Sequence, residues 1–558
     1  MILSNSIPPP RNASSQFAHL FHVALFRAVC DAVRVMNQHI QAPIGKPHKA
    51  ALCAAVLPGI AKRAGRLFGK FESDMPVVSA LSLSEAFAAS SPRVALRPAP
   101  LLSLLLYGGV VVLWIAVFCG GFLFSGIFAW TTGLLYITYD TALLLNVTVR
   151  TWFVQSEPIR AAIVAPVQGP RPSLGVIVAA RNEQNVLVGT IKALFAQTDP
   201  PDEIIIADDG STDQSAAVLA EAFGLVPPSL GEISTLVAAF PGLRLLRLVH
   251  GGKARALNAA IEQASTDVFL TVDADTILEP EALAAMRAAF ADDVNLVAAC
   301  GVLTPTCHGS WSAGFFQWFQ TYEYIRAFVS RVAWAKAGAL LLVSGAFAGF
   351  RRQAVCDVGG FDPECLVEDY ELIHRLHRHS YEMGQHWKVE VLGNARGITD
   401  APGTLMGFLR QRRRWFAGFL QTQYWNRDIT ANPKFGVLGR VMMPIKAVDT
   451  MQPIYGLTAL LIFFSFLVTG RLHIIPAVLS VIAVKILIDL GYHLWSVHLY
   501  ARWIGRATTG SSILLAICAA FAEPFSFQLM RHAGAAWGWF AFVTGRHQWT
   551  ANKRVVKG

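Results

Sequence analysis

The sequence predicts an α/β, doubly wound domain inserted between two sets of membrane-spanning helices, and three observations carry that expectation. Charged residues make up only 15% of the 558-residue chain while hydrophobic residues make up 54%, a departure from soluble composition. Apolar stretches of bilayer length lie towards both ends. Between them, short apolar runs alternate with helical patterns, as in a parallel sheet covered by helices.

Residues 1–97 mix amphipathic segments such as Phe17–Val35 with Pro- and Ala-rich linkers, and are expected to lie on the membrane face or to meet a partner. Residues 1–20 hold prolines and no uninterrupted apolar stretch, so no secretory leader is expected. No charge occurs from Pro98 to Tyr139, a run about twice the roughly 20 residues one crossing needs. It reads as a transmembrane hairpin over 98–149, turning near Cys119-Gly120-Gly121 and ending near Val149.

The next segment, 150–435, is the α/β domain. Its strands are expected at Leu174–Ala179, Ile204–Ala207, Leu243–Leu248 and Val268–Val272, with helices such as Val186–Phe195 and Lys253–Gln263 between them. Ligands of such sheets bind beyond the C-terminal strand ends. Over 436–546 apolar runs resume at Tyr455–Thr469, Ile474–His498 and Ser511–Met530, with a weaker aromatic stretch at Ala535–Val543. Three C-terminal spans are predicted and the last stretch admits a fourth. Asp140, Lys485, Asp489 and Glu523 fall in or near these spans, where ionisable groups pair or line a polar path.

The net charge of +10 lies largely outside the spans. The positive-inside rule places the N-terminus and the central domain in the cytoplasm, and the basic balance calls for no nucleic acid. With three C-terminal helices the basic tail, 547–558, would end outside, so a fourth crossing or an interfacial segment is implied. The eight cysteines form no Cys-x-x-Cys pair and suggest neither a zinc site nor a disulfide framework.

Sparse polar motifs punctuate the domain. Arg181-Asn182-Glu183 follows the first strand and presents hydrogen-bonding groups, or caps a helix. Asp208-Asp209-Gly210-Ser211 stands at a strand end, as a binding turn or a simple turn and cap. His250-Gly251-Gly252-Lys253 opens a helix with small residues and a cation, which suits a diphosphate or a solvated helix end. Neither a P-loop nor a strand-linked Gly-x-Gly-x-x-Gly occurs.

Asp273-Ala274-Asp275 ends another strand, and two carboxylates there call for a counter-charge such as a hard divalent cation. Glu368-Asp369 precedes the helical pattern Leu372–His379, either as helix-dipole charges or as reacting groups. His374, His377 and His379 do not share one helix face and read as solvated rather than metal-binding. Gln411-Arg412-Arg413-Arg414-Trp415 is either a basic membrane-proximal helix or a site with a flat indole for a sugar ring and guanidinium groups for a diphosphate.

Breaking a sugar–diphosphate bond requires carboxylates to hold a metal, a carboxylate base and a cation for the leaving group, and the series supplies all three. Taken in order, Ala-Arg-Asn-Glu, Asp-Asp-Gly-Ser, Lys-x-x-x-Leu-Asn, Asp-x-Asp, Glu-Asp and Gln-x-x-Arg-Trp resemble the family 2 inverting glycosyltransferases of the membrane-integrated synthase type. Those synthases make cellulose, chitin, hyaluronan or poly-N-acetylglucosamine. The match covers roughly residues 173–425 and implies a GT-A-like fold.

By that resemblance Glu183 and Asp209, with Asp208 beside them, serve the donor nucleoside and Lys253 the diphosphate. Asp273 and Asp275 serve the diphosphate and its Mg²⁺ or Mn²⁺. Asp369 is the general base with Glu368 adjacent, and Gln411, Arg414 and Trp415 clamp the acceptor end and the diphosphate. The usual Thr before Glu-Asp is Val367 here, and the cyclic-di-GMP-binding barrel of bacterial cellulose synthases is not found in the sequence, which disfavours cellulose. Gln320-Thr321-Tyr322-Glu323-Tyr324 and Val343–Arg352 look more like the poly-N-acetylglucosamine and hyaluronan synthases.

The implied protein is a multi-pass inner-membrane enzyme moving sugar from a UDP-sugar to a growing β-linked polysaccharide, with coupled export. An export or regulatory subunit is an implied partner. The rival readings are one-sugar transfer to a lipid-linked acceptor, separable by product length, and a non-catalytic membrane subunit, separable by UDP release.

Overall fold

The computed structural model describes residues 81–155, 171–505 and 509–545. The expectations for Phe17–Val35, for the rest of 1–80 and for the basic tail lie outside the described residues. The first elements are α1 (Leu83–Ser90), α2 (Leu101–Leu123) and α3 (Thr131–Thr151). Ser82 and Glu85 form a capping box at the start of α1.

The hairpin turns at 124–130, through a short 3₁₀ turn at Gly126–Trp130, and not at Cys119-Gly120-Gly121. The helix runs on through both glycines, and Gly121 packs closely against Ile462 of a later helix. Helix α2 is long and apolar enough to cross a membrane, whereas α3, which carries Asp140, Asn146 and Arg150, is not among the helices that are.

The sheet domain follows in the order β1 (Leu174–Ala180), α4 (Leu187–Phe195), β2 (Glu203–Asp208), α5 (Ser215–Phe223), β3 (Leu243–Arg247), α6 (Lys253–Gln263) and β4 (Val268–Asp273). It continues with β5 (Ile277–Leu278), α7 (Ala282–Asp292), β6 (Leu296–Thr306), α8 (Ala313–Lys336), β7 (Phe347–Arg351), α9 (Arg352–Asp357), α10 (Glu368–Glu382), β8 (Lys388–Asp400) and α11 (Leu405–Trp425). Strands β1 and β2 are buried almost throughout, as central parallel strands are.

Alternate strand residues feed two separate cores. Ile177, Ile205 and Phe269 join one with α6 and α10, while Val176, Val178, Ile204 and Ile206 join the other with α4 and α5. The strand order is β3-β2-β1-β4-β7-β6-β8-β5.

The expected parallel winding holds for β3-β2-β1-β4 and for the β6–β8 pair. Strand β7 runs antiparallel to both β4 and β6, and β5 antiparallel to β8, so the sheet is mixed. The handedness rule for crossovers constrains a strand reached from its parallel neighbour by one connection. Strand β7 is reached from β4 by way of β5, α7, β6 and α8, so that rule sets no direction for it.

The remaining helices are α12 (Met443–Asp449), α13 (Gln452–Val468), α14 (Ile475–Trp503), α15 (Gly510–Ala522) and α16 (Phe527–Val543). Among the described residues three helical stretches are long and apolar enough to cross a membrane: Leu101–Leu123, Leu438–Val468 and Leu472–Trp503. The predicted run Ser511–Met530 is not one helix. It breaks at Glu523–Phe525, where Pro524 removes a helix donor, and α15 with α16 forms a pair bent by 48° that would add a fourth crossing.

The four ionisable groups expected in or near the spans, Asp140, Lys485, Asp489 and Glu523, are paired. Lys485 bonds Asp140 at 2.6 Å and also Asp489, and Arg326 bonds Glu523 at 2.6 Å.

Candidate active site

An open cleft of about 1510 Å³ is lined by residues from the C-terminal ends of β1 and β4, the place where open α/β sheets bind ligands. Glu183, Asp209, Lys253, Asp273, Asp275, Glu368, Asp369, Gln411, Arg414 and Trp415 all line it. Asp208 is not among the lining residues. Its carboxylate accepts the Ser211 N–H at 3.0 Å and closes the turn after β2, so this donor-side residue supports the cleft from within the protein.

One end of the cleft is a pair of interlaced loops. Asn182, at φ 57°, accepts the Thr212 N–H at 2.8 Å, and Ser215 Oγ accepts the Glu183 N–H at 3.1 Å. Asp209 bonds His250 Nδ1 at 2.8 Å and accepts the Gly251 N–H at 2.7 Å and the Gly252 N–H at 3.1 Å. The carboxylate thereby fixes the loop that starts α6. Gly210 permits this closure: its φ is +68°, and a Cβ there would stand 2.7 Å from the His250 nitrogen.

Lys253, the first residue of α6, reaches across the cleft to Asp273 Oδ1 at 2.5 Å and to Glu368 Oε1 at 3.7 Å. Burial works against the ammonium, but Asp273 and Glu368 outweigh it and raise its pKa, so Lys253 is a fixed cation. Burial pushes the Glu368 carboxyl up, with Lys253 opposing and Asp369 adding to the shift.

Helix α10 begins at Glu368 rather than at Leu372, which places both acidic residues in its first turn. Asp369 is held at two points: Oδ2 accepts the Gly345 N–H at 2.8 Å and Oδ1 accepts the Tyr370 N–H at 2.8 Å. The expectation of solvated histidines on this helix fails. His374 and His377 are buried and bond the Tyr370 and Leu340 carbonyls, each at 2.8 Å, while His379 stacks on Trp387. The helix packs inside the core, with Leu372, Ile373 and Leu376 fully buried, so polar side chains beside them are enclosed as well.

On α11, Arg414 donates to the Leu366 carbonyl at 3.3 Å, and Trp415 carries the Arg412 guanidinium over its ring at 4.5 Å. Gln411 Oε1 has no hydrogen-bond partner among the described residues. Arg93, absent from the sequence-based candidates, also lines the cleft. It bonds Asp362 at 2.7 and 3.0 Å, and nothing local marks a contact across 269 positions. Gly345 is legible in the sequence only as part of Val343–Arg352, with no role attached.

Among the described residues no three His, Cys, Asp or Glu side chains are grouped to hold an ion by themselves. Asp273 and Asp275 still fit a divalent cation shared with a substrate, because Mg²⁺ is usually bound by one or two carboxylates plus phosphate oxygens.

The sequence matches the glycosyl transferase family 2 description over residues 175–359 and the glycosyl transferase family group 2 description over 268–509. The two matched stretches together run from residue 175 to residue 509, so the chain carries glycosyl transferase family 2 domains. It is 28% identical over 282 residues to a poly-beta-1,6-N-acetyl-D-glucosamine synthase of Staphylococcus epidermidis, covering 49% of this chain and 62% of that one. It is 32% identical over 243 residues to the synthase of the same name from Staphylococcus aureus strain MSSA476, covering 43% of this chain and 53% of that one. The chain thus spans between about half and two thirds of the length of these relatives. The solved mannosyltransferase PcManGT from Pyrobaculum calidifontis, in complex with GDP-Man and Mn²⁺, aligns with a TM-score of 0.47 at 18% identity, covering 74% of this chain and 99% of that one. At that score the likeness adds nothing to the fold as described.

Proposed function

We propose that this glycosyltransferase moves a sugar, with inversion, from a UDP-sugar to a hydroxyl at the end of a growing β-linked polysaccharide. N-acetylglucosamine is the favoured sugar, by similarity to the synthase relatives. The observation that carries the reading is the position of Asp369: backbone-held at a helix start, in the same cleft as Lys253, Asp273 and Trp415.

The acceptor hydroxyl, seated against Trp415 and Gln411, attacks the anomeric carbon. The bond from that carbon to the diphosphate oxygen breaks, and the electron pair leaves with UDP. The hydroxyl proton passes to Asp369. Lys253 and Arg414 receive the diphosphate charge, while Glu183 and Asp209 lie at the nucleoside end, with Asp208 closing the turn behind them. Asp273 and Asp275 would hold Mg²⁺ or Mn²⁺, which when bound neutralises the diphosphate. Glu368 keeps Lys253 placed between the two acidic motifs.

The cleft is also lined by Phe542 of α16, which supports a product path beside the C-terminal helices and hence coupled export. The distribution of basic residues supports an inner-membrane location with the sheet domain in the cytoplasm.

The test is UDP release and product sizing with detergent-purified protein, UDP-N-acetylglucosamine and Mg²⁺ or Mn²⁺. The parent should give long chains, and Asp369→Asn should lose about 10²–10⁴-fold in rate, the usual scale of a general base. Full activity in a folded Asp369→Asn protein would remove the assigned base. A product one sugar long would move the reading to a lipid-linked acceptor.

A further inference from the structure

Arg412 lies in the Gln411–Trp415 motif but does not line the cleft. Its side chain is 9% exposed and both terminal nitrogens bond Glu323 of α8, at 2.8 and 2.6 Å. The same guanidinium lies over the rings of Trp415 at 4.5 Å and Phe408 at 4.6 Å. A second cation, Arg531 of α16, stands 3.8 Å from Glu323.

Helix α16 is pressed against this group. A Cβ at Gly534 would meet Arg412 Cβ at 2.6 Å, and one at Gly538 would meet the Arg413 carbonyl at 2.8 Å. Such small residues four apart allow close helix approach. Burying an ion pair of this kind is a weak source of stability. What it provides is geometry, because a forked guanidinium gripped by a carboxylate presents a flat face in one orientation.

We propose that Arg412, gripped by Glu323, is a positioning residue that fixes the Trp415 indole as the acceptor platform. The indole then has the guanidinium on one face and belongs to the cleft lining. Glu323, from a motif the reaction itself does not use, joins α8, α11 and α16 behind the platform. The inference rests on the reading of Trp415 as the acceptor contact.

The experiment compares full-length parent, Arg412→Lys, Glu323→Gln, the double variant and Trp415→Ala in detergent. The donor is UDP-N-acetylglucosamine and the acceptor a short β-linked N-acetylglucosamine oligosaccharide. Lysine keeps the charge but loses the fork and the flat face.

Support would be an acceptor KM raised about tenfold in both single variants, with shorter products, a donor KM within about twofold and an unchanged melting temperature. The double variant should be no worse than either single one, since coupled residues are not additive. Normal elongation by Arg412→Lys and Glu323→Gln, beside impaired elongation by Trp415→Ala, would overturn the positioning role and leave the platform standing. Normal elongation by Trp415→Ala would overturn the platform and the inference with it. Equal loss of donor and acceptor affinity, or a lowered melting temperature in both single variants, would reduce the pair to a structural one.

Discussion

Asp369 Oδ2 accepts the Gly345 N–H at 2.8 Å, and a Cβ built on Gly345 would stand 3.0 Å from that oxygen and 3.1 Å from Asp369 Cβ. The loop before β7 and the start of α10 are thus fitted to each other at the assigned base. Gly345→Ala should push the carboxylate aside by a few tenths of an ångström, a fraction of the roughly 1 Å misplacement that can cost about 10²-fold, so the expected loss in rate is about tenfold. The kcat for UDP release should fall accordingly while the donor KM and the melting temperature stay close to parent values. An unchanged kcat would mean that Asp369 does not depend on this contact.

Glu368 is held at some expense of stability. Because burial raises its pKa, the folded protein keeps the proton after the unfolded chain has lost it. Its contribution to stability therefore falls as pH rises from the ordinary carboxylate range through the raised folded value. Glu368→Gln should leave the melting temperature at neutral pH equal or higher, and lower activity by about tenfold, equivalent to roughly 1.4 kcal/mol. A lower melting temperature would show that the charge supports the fold rather than the site.

His374 works in the opposite direction along the pH scale. Burial lowers its pKa from 6.5 to about 3. Above pH 6.5 the ring is neutral in both states; between 6.5 and about 3 the unfolded chain takes the proton and the folded one does not, so stability falls as pH drops. The limiting slope for one group is about 1.4 kcal/mol per pH unit. The melting temperature should fall between about pH 7.5 and about pH 5, and His374→Asn should flatten that dependence. The buried His377, lowered in the same way, adds to the parent slope.

Glu371 and Arg375 form a fully buried pair on α10 at 2.7 Å, and Arg375 also donates to the Val358 and Gly360 carbonyls. Removing one partner leaves an uncompensated charge, so Glu371→Ala should cost about 3–5 kcal/mol. The loss is read as a lowered denaturation midpoint, with activity lost through unfolding rather than through a change in KM. Near-parent stability would mean that water reaches Arg375.

The part of this protein legible in its sequence is local. The expected strands from Leu174 to Val272 end within about two residues of the observed ones, and α6 begins at Lys253 as expected, because apolar period and glycine placement act over a few residues. The polar motifs are readable because carboxylates at strand ends are costly unless they have partners there. The direction of β7 and the break at Pro524 escape such a reading. An apolar run carries no sign of strand direction, and its summed hydropathy hides one residue that cannot donate.

The sequence by itself determined the class of protein and the order of its motifs, and every candidate site residue it offered except Asp208 lines the cleft. Only the tertiary structure decided between the two readings of Asp208, buried His374 and His377 of α10, and brought Gly345, Arg93 and the Glu323–Arg412 pair around the site. The physical reason is range. Propensity and periodicity are set by neighbours along the chain, while burial depends on the whole fold and contacts such as Gly345–Asp369 and Arg93–Asp362 on partners 24 and 269 residues away.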